Sequence, residues 1–186
     1  MIDLTGYTIK CIHVGRCLYA GISAKDKKIG LSYAWKKELK ENEKQALRYI
    51  DIVLGHEMSH AEFPFNRKEY PKRNGNYYFV SWCAEIYCDI NGMFMTKATK
   101  EELIQSLEYR KESYGRECGR LNRKRYPTFV KRMEFANKYL CGDYCIASNV
   151  ARAVRCTDEK LINELKLFFE SQLDRKRIAY NEKGMG

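Results

Sequence analysis

Several features are missing from this 186-residue chain. No charged-then-apolar leader opens it, so no secretion signal is read and a cytoplasmic location is expected. No uninterrupted apolar run reaches membrane length. The longest, Tyr77 to Met95, carries Glu85, Asp89 and Asn91, and ionisable groups are costly in a bilayer. Neither an internal repeat nor a low-complexity tract occurs, which argues against solenoid and disordered classes. Histidine is scarce, with three residues in all, at 13, 56 and 60. Acidic residues are outnumbered, leaving a net charge of +10.

What remains suits one globular domain over 1–186 with a sizeable core. The eight cysteines (11, 17, 83, 88, 118, 141, 145 and 156) resemble a disulfide set. Without an export signal, buried free thiols are the better reading. Cys141 and Cys145 lack a second pair at zinc-ribbon spacing, which weakens the case for a structural zinc. Basic clusters fall at Arg67-Lys68, Lys72-Arg73, Arg116 to Arg125 and Asp174 to Arg177. They favour acidic partners, nucleic acid included, but no nucleic-acid module is visible and solvated faces are preferred.

The expected fold class is α+β, with a small N-terminal antiparallel sheet in about 1–42. Its strands are read at Tyr7 to Val14, Cys17 to Ile22 and Lys28 to Trp35. From about Glu43 the period becomes helical, with a stripe of Leu47, Ile50, Leu54, Met58 and Ala61. Pro64 helps end that helix. A loop over 63–76 precedes a second helix from about Tyr78 to Phe94. Those two helices fill 43–96, and 97–186 is read as helical. Thr99 and Glu102 form a capping box for a third helix, to about Arg110. Residues 114–127 read as loop. Further helices are expected at about 128–139, 145–155 and 158–178, the last with Thr157 as N-cap.

His56-Glu57-Met58-Ser59-His60 reads H-E-x-x-H. Residues four apart on a helix lie one turn apart on one face, so both imidazoles reach one metal ion. Glu57 then stands beside the metal as general base. A catalytic zinc usually takes three protein ligands and keeps one position open. His13 is read as an ordinary strand residue. Between Tyr77 and Met95 the charged residues are Glu85 and Asp89 alone, four apart and so on one face. Buried carboxylates need partners. The economical account makes Glu85 the third ligand and Asp89 the acceptor that orients a ligating histidine. The alternatives are a partly exposed acidic stripe, or Cys88 as substitute ligand.

His56-Glu57-x-x-His60 followed by Glu85-x-x-x-Asp89 resembles the gluzincin metallopeptidases. Within that group it is most similar to HtpX-like and type I CAAX prenyl protease peptidases, particularly short phage- or mobile-element-type relatives. The resemblance covers about 28–135 and implies a zincin-like fold, zinc as cofactor and a protein or peptide substrate. Those families often carry His-Pro-Ser/Thr with an arginine four residues after the Ser/Thr. Here the corresponding block is Tyr126-Pro127-Thr128-x-x-x-Arg132. Tyr126 replaces the histidine, Glu62 stands where an apolar residue is common, and the transmembrane helices of larger members are absent.

The resemblance implies zinc on His56, His60 and Glu85, with Glu57 as base. Tyr126 is the first candidate for an oxyanion donor and Arg132 the second, or a salt-bridge partner within the site. Substrate is expected to add a strand at a sheet edge formed by Lys28 to Trp35. Two further readings stand beside the endopeptidase: a phage anti-repressor-type peptidase, and a non-catalytic zinc-binding protein that contacts nucleic acid through its basic loops.

Overall fold

β-branched and apolar residues near the N-terminus form three short strands, and seven α-helices follow among the described residues. The computed structural model describes residues 5–13, 18–23, 26–114 and 125–181. The strands are β1 (Thr8–Ile12), β2 (Ala20–Ser23) and β3 (Lys28–Ser32), in the order β1-β3-β2. β2 and β3 are antiparallel, whereas β1 runs parallel to β3. The sheet is therefore mixed, not antiparallel as expected. β1 and β2 run in opposite directions with one strand position between them. β3 fills that gap, and pairing it antiparallel to β2 makes it parallel to β1.

Lys28 to Trp35 is accordingly not an edge. Both ladders of β3 are occupied, and the edges belong to β1 and β2. The strand also stops early, because Tyr33–Glu41 is helix α1. Ser32 stays extended at its N-cap, and its Oγ accepts a hydrogen bond from Tyr19 N. One turn on, Trp35 is buried in the core.

Asn42 caps the next helix, α2 (Glu43–Ser59), by accepting from Gln45 N. Its buried face differs from the expected stripe. Tyr49, Ile50, Val53, Leu54 and His56 are inside, but Leu47 is exposed and Ala61 lies beyond the helix in an exposed turn. Two short 3-10 turns (Arg67–Glu69 and Arg73–Gly75) occupy the loop that follows. Helix α3 (Asn76–Thr96) is longer than expected and buried over most of its surface. It is hydrophobic nearly all round, as a helix surrounded by other elements must be.

α2 and α3 meet at two glycines. A Cβ on Gly92 would lie 2.5 Å from His56 N, and one on Gly55 would lie 2.8 Å from the Gly92 carbonyl oxygen. Only paired glycines allow backbones this close. That crossing sets the second helix against the motif.

α4 (Lys100–Tyr114) opens on the expected capping box: Thr99 N donates to Glu102 at 2.8 Å and Glu102 N to Thr99 Oγ1 at 3.2 Å. Arg48 of α2 grips the same glutamate and also donates to the Thr96 and Lys97 carbonyls that end α3. One guanidinium therefore ties three helices together. α5 (Phe129–Leu140) is capped by Thr128, whose hydroxyl accepts from Lys131 N. α6 (Ile146–Val154) leads to α7 (Glu159–Asn181). The cap of α7 is Asp158, which accepts from Leu161 N, and not Thr157. α7 packs its apolar side, including Leu165 and Phe169, against the core that α3 runs through. No helix among the described residues is long and apolar enough to cross a membrane.

Candidate metal centre

His56 and His60 end α2, His60 keeping helical backbone angles just past its last turn. The one-turn spacing of the motif is therefore preserved. Across the glycine crossing, Glu85 projects from α3 toward both rings. His56 Nε2 lies 3.5 Å from Glu85 Oε2, and His60 Nε2 lies 3.9 Å from Glu85 Oε1. One ligand atom from each of the three residues lies within 4.8 Å of the others. Ligands at the usual zinc distances sit ~3.3–3.5 Å apart in a tetrahedron, so a small contraction would close the shell. Two ring nitrogens and one carboxylate are a donor set that zinc accepts. Among the described residues no other group of three His, Cys, Asp or Glu side chains is so arranged.

Asp89 stands one turn beyond Glu85, fully buried. His56 Nδ1 donates to its Oδ1 at 2.9 Å. That bond keeps a proton on Nδ1 and turns Nε2 toward Glu85. Arg132, also buried, reaches the same carboxylate with two donors, Nε meeting Oδ2 at 2.7 Å. A third guanidinium nitrogen lies 3.5 Å from Glu85 Oε2. Arg132 is thus spent on holding the two carboxylates, and the block that begins at Tyr126 delivers it: Thr128 caps α5 and sets Arg132 in its first turns.

These partners explain the charge states. Burial disfavours an ionised Glu85, yet the hydrogen bond from His56 and the charge of Arg132 outweigh it and take its pKa down to about 2. Burial lowers His56 too, but Asp89 overrides it and raises the group to about 8. His60 has no such carboxylate bond, so burial and the neighbouring His56 charge bring it down to about 4. Burial raises Glu57, with the His56 and Arg110 charges offsetting part of that rise.

The chain matches no family model, no curated protein and no solved structure. What it does must therefore be read from the geometry of the centre.

Tyr126 is held by arginines. Its hydroxyl accepts from Arg67 at 3.0 Å, and the guanidinium groups of Arg67 and Arg125 lie 5.1 and 5.0 Å from its ring centroid. Among the described residues its partners are these two arginines, not the His/Glu group. His13 is exposed one residue past β1, its ring tilted against that of Tyr33 with 4.5 Å between centroids. Cys88 is buried outside the ligand group, and its thiol is pushed up by burial and by Glu85. Of the other cysteines, 83 and 156 are buried and free, whereas 11, 141 and 145 are free and exposed. Cys17, Cys118 and nearly all of the basic cluster at 116–125 lie outside the described residues.

Some neighbours of the site carry little sequence signal. Arg110 of α4 is buried, and its guanidinium lies over the Phe129 ring while Arg132 lies over the same ring. It supplies positive charge near Glu57. Glu62, two residues past the motif, accepts from Tyr87, Asn91 and Lys176 of α7. Asn91 also donates to Ser59 at 2.9 Å. A polar set of this kind is invisible to periodicity, because its members come from three separate elements.

Proposed function

We propose that this chain is a zinc-dependent metallopeptidase of zincin-like fold that hydrolyses peptide bonds. The observation that carries the reading is the convergence of His56, His60 and Glu85 on one point, with Glu57 between the two histidines in sequence. Zinc bound there would supply Lewis acidity, lowering the pKa of water and polarising a carbonyl.

The chain's own residues do the rest. His56, its proton kept on Nδ1 by Asp89, offers Nε2; His60 is neutral at pH 7; Glu85 is ionised. Arg132 fixes Asp89 and Glu85 together and balances their charge. Glu57 is half-buried with a raised pKa, which makes it a stronger proton acceptor than a solvated carboxylate. In this role it takes a proton from the attacking water and hands it to the leaving amine. A purely structural zinc needs no base at that position, and this favours catalysis over the interaction-protein reading.

Metal analysis and peptide hydrolysis test it together. Wild-type protein should hold about one zinc per chain, and Glu85→Ala should lose most of it while remaining folded. Glu57→Gln should keep the metal and lose cleavage by at least ~100-fold. A folded Glu85→Ala with unchanged zinc affinity would remove the site. Continued cleavage by Glu57→Gln would remove the base.

A further inference from the structure

Beside His60 the surface folds into a cavity of about 250 Å³. Its apolar walls are Phe63 and Phe65 from the loop after α2, with Val80 and Ala84 from α3. Ser81 lies one turn before Glu85, so the cavity and the metal ligands share one face of that helix. The volume falls below the roughly 300–1,000 Å³ of sites that enclose a whole small molecule. It matches a single large side chain.

Three further observations define the occupant. First, the wall is built and braced. The Phe63 and Phe65 rings lie 5.5 Å apart, and both stand edge-on against Phe168 of α7 at 5.4 and 5.7 Å. An aromatic guest completes such a cluster. Second, the Ser81 hydroxyl is buried in this wall without a hydrogen-bond partner among the described residues. Leaving such a group unpaired is costly, and a polar ligand atom that reaches it relieves the cost. Third, Arg67 and Lys68 stand at the rim, and neither forms an ion pair among the described residues. Arg67 is held in place by Tyr126 instead. Unpaired cations beside an apolar cavity select an acidic neighbour to the side chain that fills it.

Building on the metallopeptidase reading, we propose that this cavity is the specificity pocket. It takes an aromatic residue, tyrosine or phenylalanine, beside the scissile bond of a substrate that carries aspartate or glutamate within a few positions. The rim cations read the acid, and the loop 63–68 and α3 read the ring.

Binding and cleavage are measured separately. Random phage-displayed peptides are selected on immobilised, zinc-loaded Glu57→Gln protein, and the selected peptides are then offered to wild type. Selected sequences should be enriched in an aromatic residue with a nearby acid. Ala84→Phe in the same background fills the cavity and should cut affinity for them by ~10–200-fold. Lys68→Glu, an exposed change that folding tolerates, should weaken the acidic peptides at least ~3-fold and remove the acid from newly selected sequences. Should Ala84→Phe not fold, Ala84→Leu serves in its place. Selected peptides of the expected type that wild type cuts support both readings. The same peptides bound but uncut keep the pocket and overturn the hydrolase. Peptides cut without aromatic or acidic preference overturn the pocket and keep the hydrolase, and a binding preference that survives both substitutions overturns the pocket whatever wild type cuts. No binding and no cleavage overturns both.

Discussion

Asp89 shows how much one buried carboxylate can decide. It touches no metal-facing nitrogen, yet it fixes the His56 tautomer and anchors Arg132. Asp89→Asn keeps the shape but loses the charge, and zinc affinity should fall ~10–100-fold. Competition with a chromophoric chelator measures this, and an unchanged affinity would deny Asp89 its orienting role. The same residue governs proton traffic. With His56 raised to about 8, His60 lowered to about 4 and Glu85 at about 2, His56 is the ligand that carries a proton at pH 7 in the metal-free protein. Of the protons released on zinc binding, His56 should therefore contribute about one at pH 7 and almost none at pH 9, beside the share given up by the bound water. Calorimetry in buffers of different ionisation enthalpy reads the total, and Asp89→Asn, which removes the cause of the His56 rise, should lower it at pH 7. Much of this centre was legible in the residue string, because two histidines one turn apart and two lone carboxylates in an apolar stretch are costly to bury without a shared partner. Arg110 was not legible: nothing in its neighbours along the chain says that it is buried or that it faces Glu57.

At the level of elements, the deciding contact is the crossing of α2 and α3. An alanine in place of glycine ordinarily stabilises an exposed helix by ~1 kcal/mol. Gly92→Ala should do the reverse here, because its methyl would strike the His56 backbone nitrogen at 2.5 Å. Overpacking against backbone costs ~1–3 kcal/mol or more. Urea denaturation should show that loss, and zinc affinity should fall with it as the helices part. A stability gain would mean the helices have room to spare. The helices themselves were readable from periodicity and caps, and Thr99 with Glu102 was readable as a box. The mixed sheet was not, since strand order depends on which side of the β2–β3 hairpin receives β1. Nor was α1, whose first residues, Tyr33 to Trp35, suit a strand as well as a helix turn. The misplaced stripe on α2 has the same origin: Leu47 is apolar but lies outside the packed face, and Ala61 lies past the helix end.

For the whole molecule, metal and fold are linked. The Glu85 pKa is depressed from 4.5 to about 2, so its stabilisation is complete above pH 4.5 and fades as pH falls toward 2. The His56 pKa is raised from 6.5 to about 8, so its stabilisation is complete below pH 6.5 and fades as pH rises through 8. The His60 pKa is lowered from 6.5 to about 4, so stability is also lost as pH falls from 6.5 toward 4, and from these three groups the metal-free protein should be most stable near pH 6.5. Zinc favours neutral His56 and should move that optimum upward. At a free zinc level of 100 times Kd, binding adds ~2.7 kcal/mol. For a chain of this size that is ~5–10 °C in Tm, and chelation should reverse it.

Helix α7 has one more consequence, which concerns the order of synthesis. His56, His60, Glu85 and Arg132 all precede it in the chain, yet Phe168 braces the loop at 63–65 and Lys176 holds Glu62. A ribosome-bound chain therefore exposes its metal ligands before the cleft beside them has its rear support. On the proposed peptidase reading, the ligands are there early but the cavity beside them waits for the last long helix to dock.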